Sequence, residues 1–178
     1  MFLNKQFCIK TIRDNIYLFL DTVLEQDMKC DTWKPHVTVA SIVEKDNRFL
    51  CVKELIDGKE VINQPAGHLD PNESLFDAVI RETQEETGYT VKPEYLVGIY
   101  QWKHPEKDKT FLRFVFSATV VDHNPEQELD DGILEALWPS EEELKAESIR
   151  LRSPMVLQGI SDYKLGKRFP VDLIKDLI

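Results

Sequence analysis

The stretch from Gly67 to Tyr89 limits what this chain can fold into, because it places several carboxylates on the inward face of one helix. Pro71 and Asn72 precede a segment with helical apolar periodicity, and Gly88 follows it. These residues are typical start and stop signals of a helix. We therefore predict a helix of about four turns from about Glu73 to Thr87.

The first half of this helix has one apolar face, formed by Leu75, Phe76, Val79 and Ile80 with Ala78 at its edge. Glu82 follows Leu75 by one heptad. Glu86 follows Val79 by the same interval, with Glu85 beside it, since residues three and four apart share a helix face. The opposite face carries Asp77, Arg81 and Gln84. The carboxylates thus continue the half of the helix that faces the core.

Several like charges buried together are costly unless a cation lies among them. Oxygen ligands suit a hard divalent cation, Mg²⁺ or Mn²⁺. The alternative for an acidic helix is a solvated charged face. Here the phase of the carboxylates relative to Leu75 and Val79, together with the glycines at both ends, favours a buried cation site.

The same residues resemble the signature of the Nudix hydrolase family. Gly67 is followed after five residues by Glu73 and, after seven more, by the run Arg81–Tyr89. Thr83 stands where the family pattern prefers a bulky aliphatic residue. The resemblance implies an α/β fold, a Nudix-type α/β/α sandwich with a mixed β-sheet. It also implies divalent-metal-dependent hydrolysis of phosphoanhydride bonds.

The resemblance further assigns roles to individual residues. The metal ions would be held by Glu82, Glu85 and Glu86, with Gly67 and a downstream acid completing the site. The catalytic set would be Glu73, Arg81, Glu82 and Glu85. Glu82 would also accept the proton of the attacking water, Arg81 would orient the helix carboxylates, and Glu73 would tie down the loop. For Arg81 the alternative is an ordinary i,i+4 ion pair with Glu85.

Two positions of this predicted site leave choices open. Gly67 would be required for its backbone, either for a positive φ or for close approach of another group. The downstream acid is expected at Gly132, which has no side chain, so we assign the role to Asp131. Asp130 lies alongside it, and Glu128 and Glu135 remain alternatives.

Several further segments resemble one subgroup, the NudJ-type phosphatases. These segments are Lys34–Ala40, Asn63–Leu69, Gln101–Trp102, Phe111–Phe114 and Leu151–Pro154. The resemblance implies nucleoside di- and triphosphates and thiamine-related diphosphates, such as hydroxymethylpyrimidine diphosphate, as substrates. Alternative substrates are oxidised nucleotides, sugar nucleotides, dinucleoside polyphosphates and an RNA 5′ end. A different alternative is that the protein is a nucleotide sensor without catalytic activity. A pure sensor need not keep every catalytic carboxylate, and this chain keeps them all.

Three side chains are candidates for contacts with the substrate. Arg113 alternates with apolar neighbours in a predicted strand and could bind a phosphate bidentately, unless it is a surface arginine. Trp102 could stack on a ring, unless it is a core tryptophan. Gln64, next to Asn63, precedes the acidic helix and could donate or accept a hydrogen bond.

Composition narrows the class of partner. The formal net charge of −10 argues against a nucleic-acid or anionic-membrane surface, whereas a small phosphoanhydride substrate can approach through a bound metal. The cysteines Cys8, Cys30 and Cys51 form no zinc or disulfide pattern, which suits a reducing cytosol. No apolar run is long enough to span a membrane and no signal peptide begins the chain, so we predict a cytoplasmic protein. We also expect it to be a monomer or a homodimer.

The chain divides into an extension, residues 1–33, which we predict to be an amphipathic helix, and a Nudix domain, residues 34–178. In the domain we predict strands at 36–43, 49–53, 95–103, 111–121 and 133–138. Ser140 and Glu143 have the form of a capping box. A last helix is predicted after Ser153, with Pro154 in its first turn.

Overall fold

A computed structural model describes residues 32–178, so the amphipathic helix predicted in the extension lies outside the described residues. The first six strands are β1 (His36–Ile42), β2 (Glu44–Lys45), β3 (Arg48–Phe49), β4 (Cys51–Ile56), β5 (Lys59–Asn63) and β6 (Ala66–His68). Helix α1 (Leu75–Thr87) is followed by β7 (Tyr89–Lys103), β8 (Thr110–His123) and β9 (Ile133–Leu137). The chain closes with α2 (Glu141–Leu144), α3 (Met155–Lys164) and a 3₁₀ turn, Val171–Leu173.

Four strands form a mixed sheet in the order β6-β1-β8-β7. Strands β1 and β8 run parallel, with Val39 opposite Phe114, while β6 and β7 pair antiparallel with their neighbours. A second, antiparallel sheet has the order β5-β4-β9. The mixed sheet is therefore confirmed.

Helices cover both faces of the mixed sheet, because alternate residues of its strands point to opposite sides. On one side α1 packs over a core of Val39, Ala78, Val79, Leu96 and Phe116. On the other side, residues of α3 pack with the intervening positions, including Ala40, Val97, Val115, Val156 and Ile160. This arrangement confirms the predicted α/β/α sandwich. No helix within residues 32–178 has the length and apolar character needed to cross a membrane.

Helix α1 begins at Leu75, two residues later than predicted. Asn72 has a positive φ of 63°, so it belongs to the preceding turn. Ser74 is the N-cap, and its Oγ accepts a hydrogen bond from the Asp77 N–H at 3.0 Å. The predicted end is confirmed, since Gly88 adopts the left-handed conformation (φ 73°) and donates its N–H to the Gln84 carbonyl at 2.8 Å.

The buried face of α1 is rotated slightly from the predicted one. Ala78, predicted at the edge, is fully buried, whereas Ile80 is half-exposed. Thr83 also lies fully buried, and its hydroxyl reaches the Val79 carbonyl at 2.7 Å and the Ser41 hydroxyl of β1 at 2.9 Å. A polar threonine is accommodated there because β1 supplies a partner for it.

Strand β7 is longer than predicted, beginning at Tyr89 instead of near Tyr95. Its pairing with β8 shifts register three times, and Pro93 lies in the irregular part. Proline lacks the N–H needed in a central strand, but β7 is at the edge of the sheet. The bulges and the edge position together allow the strand to continue through the proline.

Candidate active site

The guanidinium of Arg81 connects one carboxylate from the loop before α1 with two from the second half of that helix. Its Nη1 donates to Glu82 Oε1 at 2.7 Å and to Glu85 Oε2 at 2.9 Å. Its Nε and Nη2 donate to both oxygens of Glu73 at 2.7 and 2.8 Å. Nη2 also lies 3.2 Å from the His68 carbonyl. Arg81 thus makes the i,i+4 pair with Glu85 and several further contacts that bind the loop to the helix.

Glu73 joins the loop before α1 to this cluster. Besides its two bonds from Arg81, its Oε2 accepts the Asp70 N–H at 3.1 Å. The hydrogen bonds from Arg81 are the main cause that lowers the pKa of Glu73. An ionised Glu73 therefore fixes both the loop and the direction of the arginine fork.

Gly67 lies directly against the carboxylate of Glu82. A Cβ at Gly67 would be 2.0 Å from Glu82 Cδ, and Gly67 is not among the residues with positive φ. Close approach therefore accounts for the glycine. Glu82 is 8% exposed, and burial raises its pKa while the Arg81 guanidinium acts in the opposite direction.

Glu86 is the most deeply buried carboxylate of this group. It is 7% exposed, and its Oε2 accepts the Ala66 N–H at 2.8 Å. Burial raises the pKa of Glu86 to about 9. A carboxylate in such a position is stabilised in its charged form by a nearby cation.

The donor set fits a hard divalent cation. The bonds from Arg81 and Ala66 engage one oxygen each of Glu82, Glu85 and Glu86, which leaves the second oxygen of each outside these bonds. All candidate donors are oxygens, the ligand type of Mg²⁺ and Mn²⁺. Within residues 32–178 no three acidic, histidine or cysteine side chains already converge as a closed metal cluster.

The downstream loop brings Asp130 to α1 in place of the predicted Asp131. The Asp130 N–H donates to the Glu85 carbonyl at 3.1 Å, which docks this loop on the helix. The negative charge of Asp130 contributes to the raised pKa of Glu82 and of Glu86. Gly132 has a positive φ of 88°, a backbone conformation that favours glycine over a side-chain donor. Asp130 is therefore the better candidate for the downstream acid.

A cavity of about 160 Å³ opens beside Gly67. Its lining includes Thr38, Glu54, Asn63, His68, Trp102, His104, Phe111, Arg113, Arg152, Ser153 and Met155. The predicted contacts Arg113 and Trp102 are both in this wall. Several lining residues were not predicted as site residues, among them Glu54, Arg152 and Ser153. The signal for Glu54 was a charge on the same strand face as buried Val52.

Arg113 is buried, so the alternative that it is a surface arginine is wrong. It is 6% exposed, and its Nη1 lies 3.4 Å from Asn63 Oδ1. Burial lowers the pKa of Arg113 to about 10, although the charges of Glu54 and Glu86 oppose this effect. The guanidinium is thus held in the cavity wall beside Asn63. Trp102 stacks on Phe111, with ring centroids 5.8 Å apart and planes 25° apart.

The prediction for Gln64 is wrong in position. Gln64 is almost fully buried, and its Nε2 lies 3.4 Å from the Val156 carbonyl of α3. A Cβ at Gly159 of α3 would lie 3.1 Å from the same Nε2. Gln64 therefore packs under α3, while its neighbour Asn63 lines the cavity because it ends β5 with its side chain on the opposite face.

Comparison with known proteins identifies the family. The sequence profile of the NUDIX domain matches residues 33–158. The protein belongs to the Nudix family. This Nudix protein is 43% identical over 144 residues to the protein named "Phosphatase NudJ" of Escherichia coli strain K12, an alignment that covers 81% of this chain and 93% of that protein. The Nudix chain is therefore a hydrolase of phosphoanhydride bonds, from a family that generally uses divalent metals.

Solved structures agree with this assignment. A NUDIX hydrolase from Nitrosomonas europaea is 46% identical with a TM-score of 0.78, covering 80% of this chain and 97% of the other. A UDP-X diphosphatase is 17% identical with a TM-score of 0.63, covering 95% and 88% of the two chains. An ADP-ribose pyrophosphatase from Streptococcus suis is 17% identical with a TM-score of 0.59, covering 76% and 96%. The last two likenesses show the Nudix fold alone.

Proposed function

We propose that this Nudix hydrolase cleaves small nucleoside di- and triphosphates and thiamine-related diphosphates, such as hydroxymethylpyrimidine diphosphate, with Mg²⁺, or Mn²⁺ in its place. The similarity to Phosphatase NudJ over most of both chains supports this subgroup. The observation that carries the proposal is the contact of Arg81 with Glu73, Glu82 and Glu85, because it holds a carboxylate cluster beside a cavity that contains Arg113.

Glu82, Glu85 and Glu86, with the backbone of Gly67 and with Asp130 in place of Asp131, would hold the cation. When bound, a divalent cation neutralises phosphate charge and lowers the pKa of water. Glu82 is assigned as the group that accepts the proton of the attacking water, since Arg81 fixes one of its oxygens and Gly67 leaves room for it.

Arg113 and Trp102 are assigned to the substrate. The guanidinium of Arg113 donates to phosphate oxygens, and its burial strengthens this interaction because water competes less there. Trp102, already stacked on Phe111, offers an aromatic wall to the organic group of the substrate. Hydrolysis of a phosphoanhydride depends mainly on such positioning and charge stabilisation.

The first test is hydrolysis of a panel of compounds, each with Mg²⁺, with Mn²⁺ and with EDTA, followed by chromatography of the products. The panel holds nucleoside di- and triphosphates, thiamine diphosphate, hydroxymethylpyrimidine diphosphate, a sugar nucleotide, NADH and a dinucleoside polyphosphate. We expect EDTA-sensitive release from the simple di- and triphosphates. Cleavage of only the last three compounds would favour another Nudix pyrophosphohydrolase. Tight binding without turnover would favour a nucleotide sensor.

Glu82→Gln should lower kcat by about 10²–10⁴-fold, because the amide cannot accept the water proton. Glu142→Gln, on the exposed side of α2, is the matched control and should keep the wild-type rate. Circular dichroism checks that both variants remain folded. A Glu82→Gln enzyme with most of its activity would show that another group accepts the proton.

A further inference from the structure

Buried polar atoms that lack a hydrogen-bond partner concentrate in one place. In the part of the chain that the structure describes, these atoms are Thr38 Oγ1, Glu54 Oε1, Gln64 Oε1, Arg113 Nε and Ser153 Oγ. All except Gln64 line the cavity beside Gly67. An unpaired buried polar group is costly, and native proteins leave few of them. The cavity is therefore prepared for a ligand that supplies the missing hydrogen bonds.

Glu54 is the least expected of these residues, because a carboxylate is rarely buried in a strand. It is 7% exposed and lies at a register shift between β4 and β9. The extra residue of this shift lies on β9, so Glu54 stays in register on β4 and shares the buried face of Val52. The Nε of Arg152 faces Glu54 Oε2 at 3.6 Å and, against the effect of burial, the nearby Asn63 side chain acts to lower the pKa of this carboxyl. Within the described residues Oε1 makes no hydrogen bond of good geometry. One carboxylate oxygen is thus left to accept a hydrogen bond from the ligand.

The charge at this end of the cavity determines which ligand group fits. A phosphate at Glu54 Oε1 would set one acceptor against another and bring two negative charges together, even with Arg152 at the other oxygen. An N–H donor has the opposite preference and forms a charge-assisted hydrogen bond with a carboxylate. The unpaired Nε of Arg113 needs an acceptor such as a phosphate oxygen, whereas the unpaired Oε1 of Glu54 needs a donor.

The size and walls of the cavity indicate the shape of the group that carries this donor. The volume is about 160 Å³, close to the roughly 150 Å³ of an apolar cavity that binds benzene. Trp102 and Phe111 lie nearly parallel in its wall, and aromatic faces of this kind stack on planar rings. The cavity therefore accommodates one six-membered ring.

We propose that Glu54 determines the substrate specificity of this enzyme, because its free carboxylate oxygen accepts a hydrogen bond from an amino group on a single planar ring carried by the diphosphate substrate. The inference rests on the proposed function, since it assumes that the phosphates bind at α1. It adds to that function a requirement for a ring with a donor at its far edge.

The test compares cytidine diphosphate with its 4-deamino analogue, the diphosphate of pyrimidin-2-one riboside. The two compounds differ only in the amino group. The wild-type kcat/KM should favour cytidine diphosphate by about 10–100-fold, the value of one hydrogen bond to a charged group. Equal values of kcat/KM for the two compounds would overturn the proposal, whatever any variant shows.

Glu54→Gln keeps the shape of the side chain but removes the charge, so it should reduce this preference to a few-fold. Glu60→Gln, on the exposed side of β5 opposite Leu55, is the matched control and should retain the full preference. Methyl diphosphate, which has no ring, should react with Glu60→Gln at the wild-type rate. A Glu54→Gln enzyme with an unchanged preference would overturn the assignment to Glu54.

Direct binding separates failure of this inference from failure of the proposed function. Calorimetry with cytidine and with pyrimidin-2-one riboside requires no turnover. Stronger binding of cytidine by the wild type, and loss of this difference in Glu54→Gln, would support ring recognition even if no diphosphate is hydrolysed. Equal binding of the two nucleosides, together with phosphate release, would overturn ring recognition and leave the hydrolase assignment intact.

Discussion

Arg81 reaches three carboxylates at once only because its guanidinium is a planar fork with several N–H donors. Lysine has the same charge but a single donor centre, so it cannot bridge Glu73, Glu82 and Glu85 together. Arg81→Lys should therefore misplace the carboxylates and lower kcat by about 10²-fold. Steady-state kinetics measures the change.

The control for this substitution is Arg48→Lys. Arg48 also binds a glutamate, Glu143, at 3.0 Å, but on the exposed surface near α2. Its replacement should leave kcat unchanged. If Arg81→Lys retained more than half of the wild-type kcat, the three-carboxylate contact would not be needed for catalysis.

Gly67→Ala tests the close approach of Glu82. The added methyl would lie 2.0 Å from the Glu82 carboxyl carbon, so this carboxylate must move. We expect kcat to fall by about 10²-fold, because small displacements of catalytic groups have effects of that size. Gly166→Ala is the control: no atom lies within 4 Å of the added methyl, and kcat should not change. Equal kinetics for both variants would contradict the role of Gly67.

At the scale of elements, the end of α1 depends on Gly88. A Cβ there would lie 2.6 Å from the Asn124 carbonyl oxygen, in addition to the strain of a positive φ of 73°. Gly58 has the same φ but no atom within 4 Å of its added Cβ. Gly58→Ala should lower the free energy of unfolding by about 1 kcal/mol. Gly88→Ala should lower it by about 1–3 kcal/mol more, because of the clash.

Urea unfolding of the two alanine variants gives both values from the midpoints and slopes. The wild type and Gly166→Ala, a further position with positive φ and open space, complete the series. If Gly58→Ala and Gly88→Ala lowered the free energy of unfolding equally, the segment around Asn124 would have moved away from the added methyl at no energetic cost.

Sequence predicted the elements better than the details of the site. The helix and its glycine end follow from local periodicity, which the sequence displays directly, whereas the mixed sheet was implied by the family resemblance. The side chains around the cavity depend on alternation at strand ends, where a shift of one residue exchanges Gln64 for Asn63. The acidic loop is also positioned by a tertiary contact: the Asp130 N–H binds the Glu85 carbonyl, which favours Asp130 over Asp131 as the downstream acid. These choices are decided by tertiary contacts that no local pattern records.

For the whole molecule, the acidic cluster and the net charge of −10 predict stabilisation by divalent cations. A ligand that binds only the folded state raises its stability, by about 2.7 kcal/mol at 100 times the dissociation constant. For a chain of this size that corresponds to a rise in Tm of about 5–10 °C. Thermal melts with and without Mg²⁺ measure it. Glu86→Gln should abolish most of the rise and Glu142→Gln should not, whereas equal rises in all three proteins would place the binding elsewhere.

The unpartnered polar atoms around the cavity also affect how this protein responds to selection. Replacing Thr38 or Ser153 by an apolar residue of similar size would remove a buried group without a partner and should make the fold more robust. Directed evolution for heat resistance alone would therefore find these positions early. The resulting variants would be more durable proteins with poorer substrate recognition, so a thermostability screen on this scaffold must also select for turnover in every round.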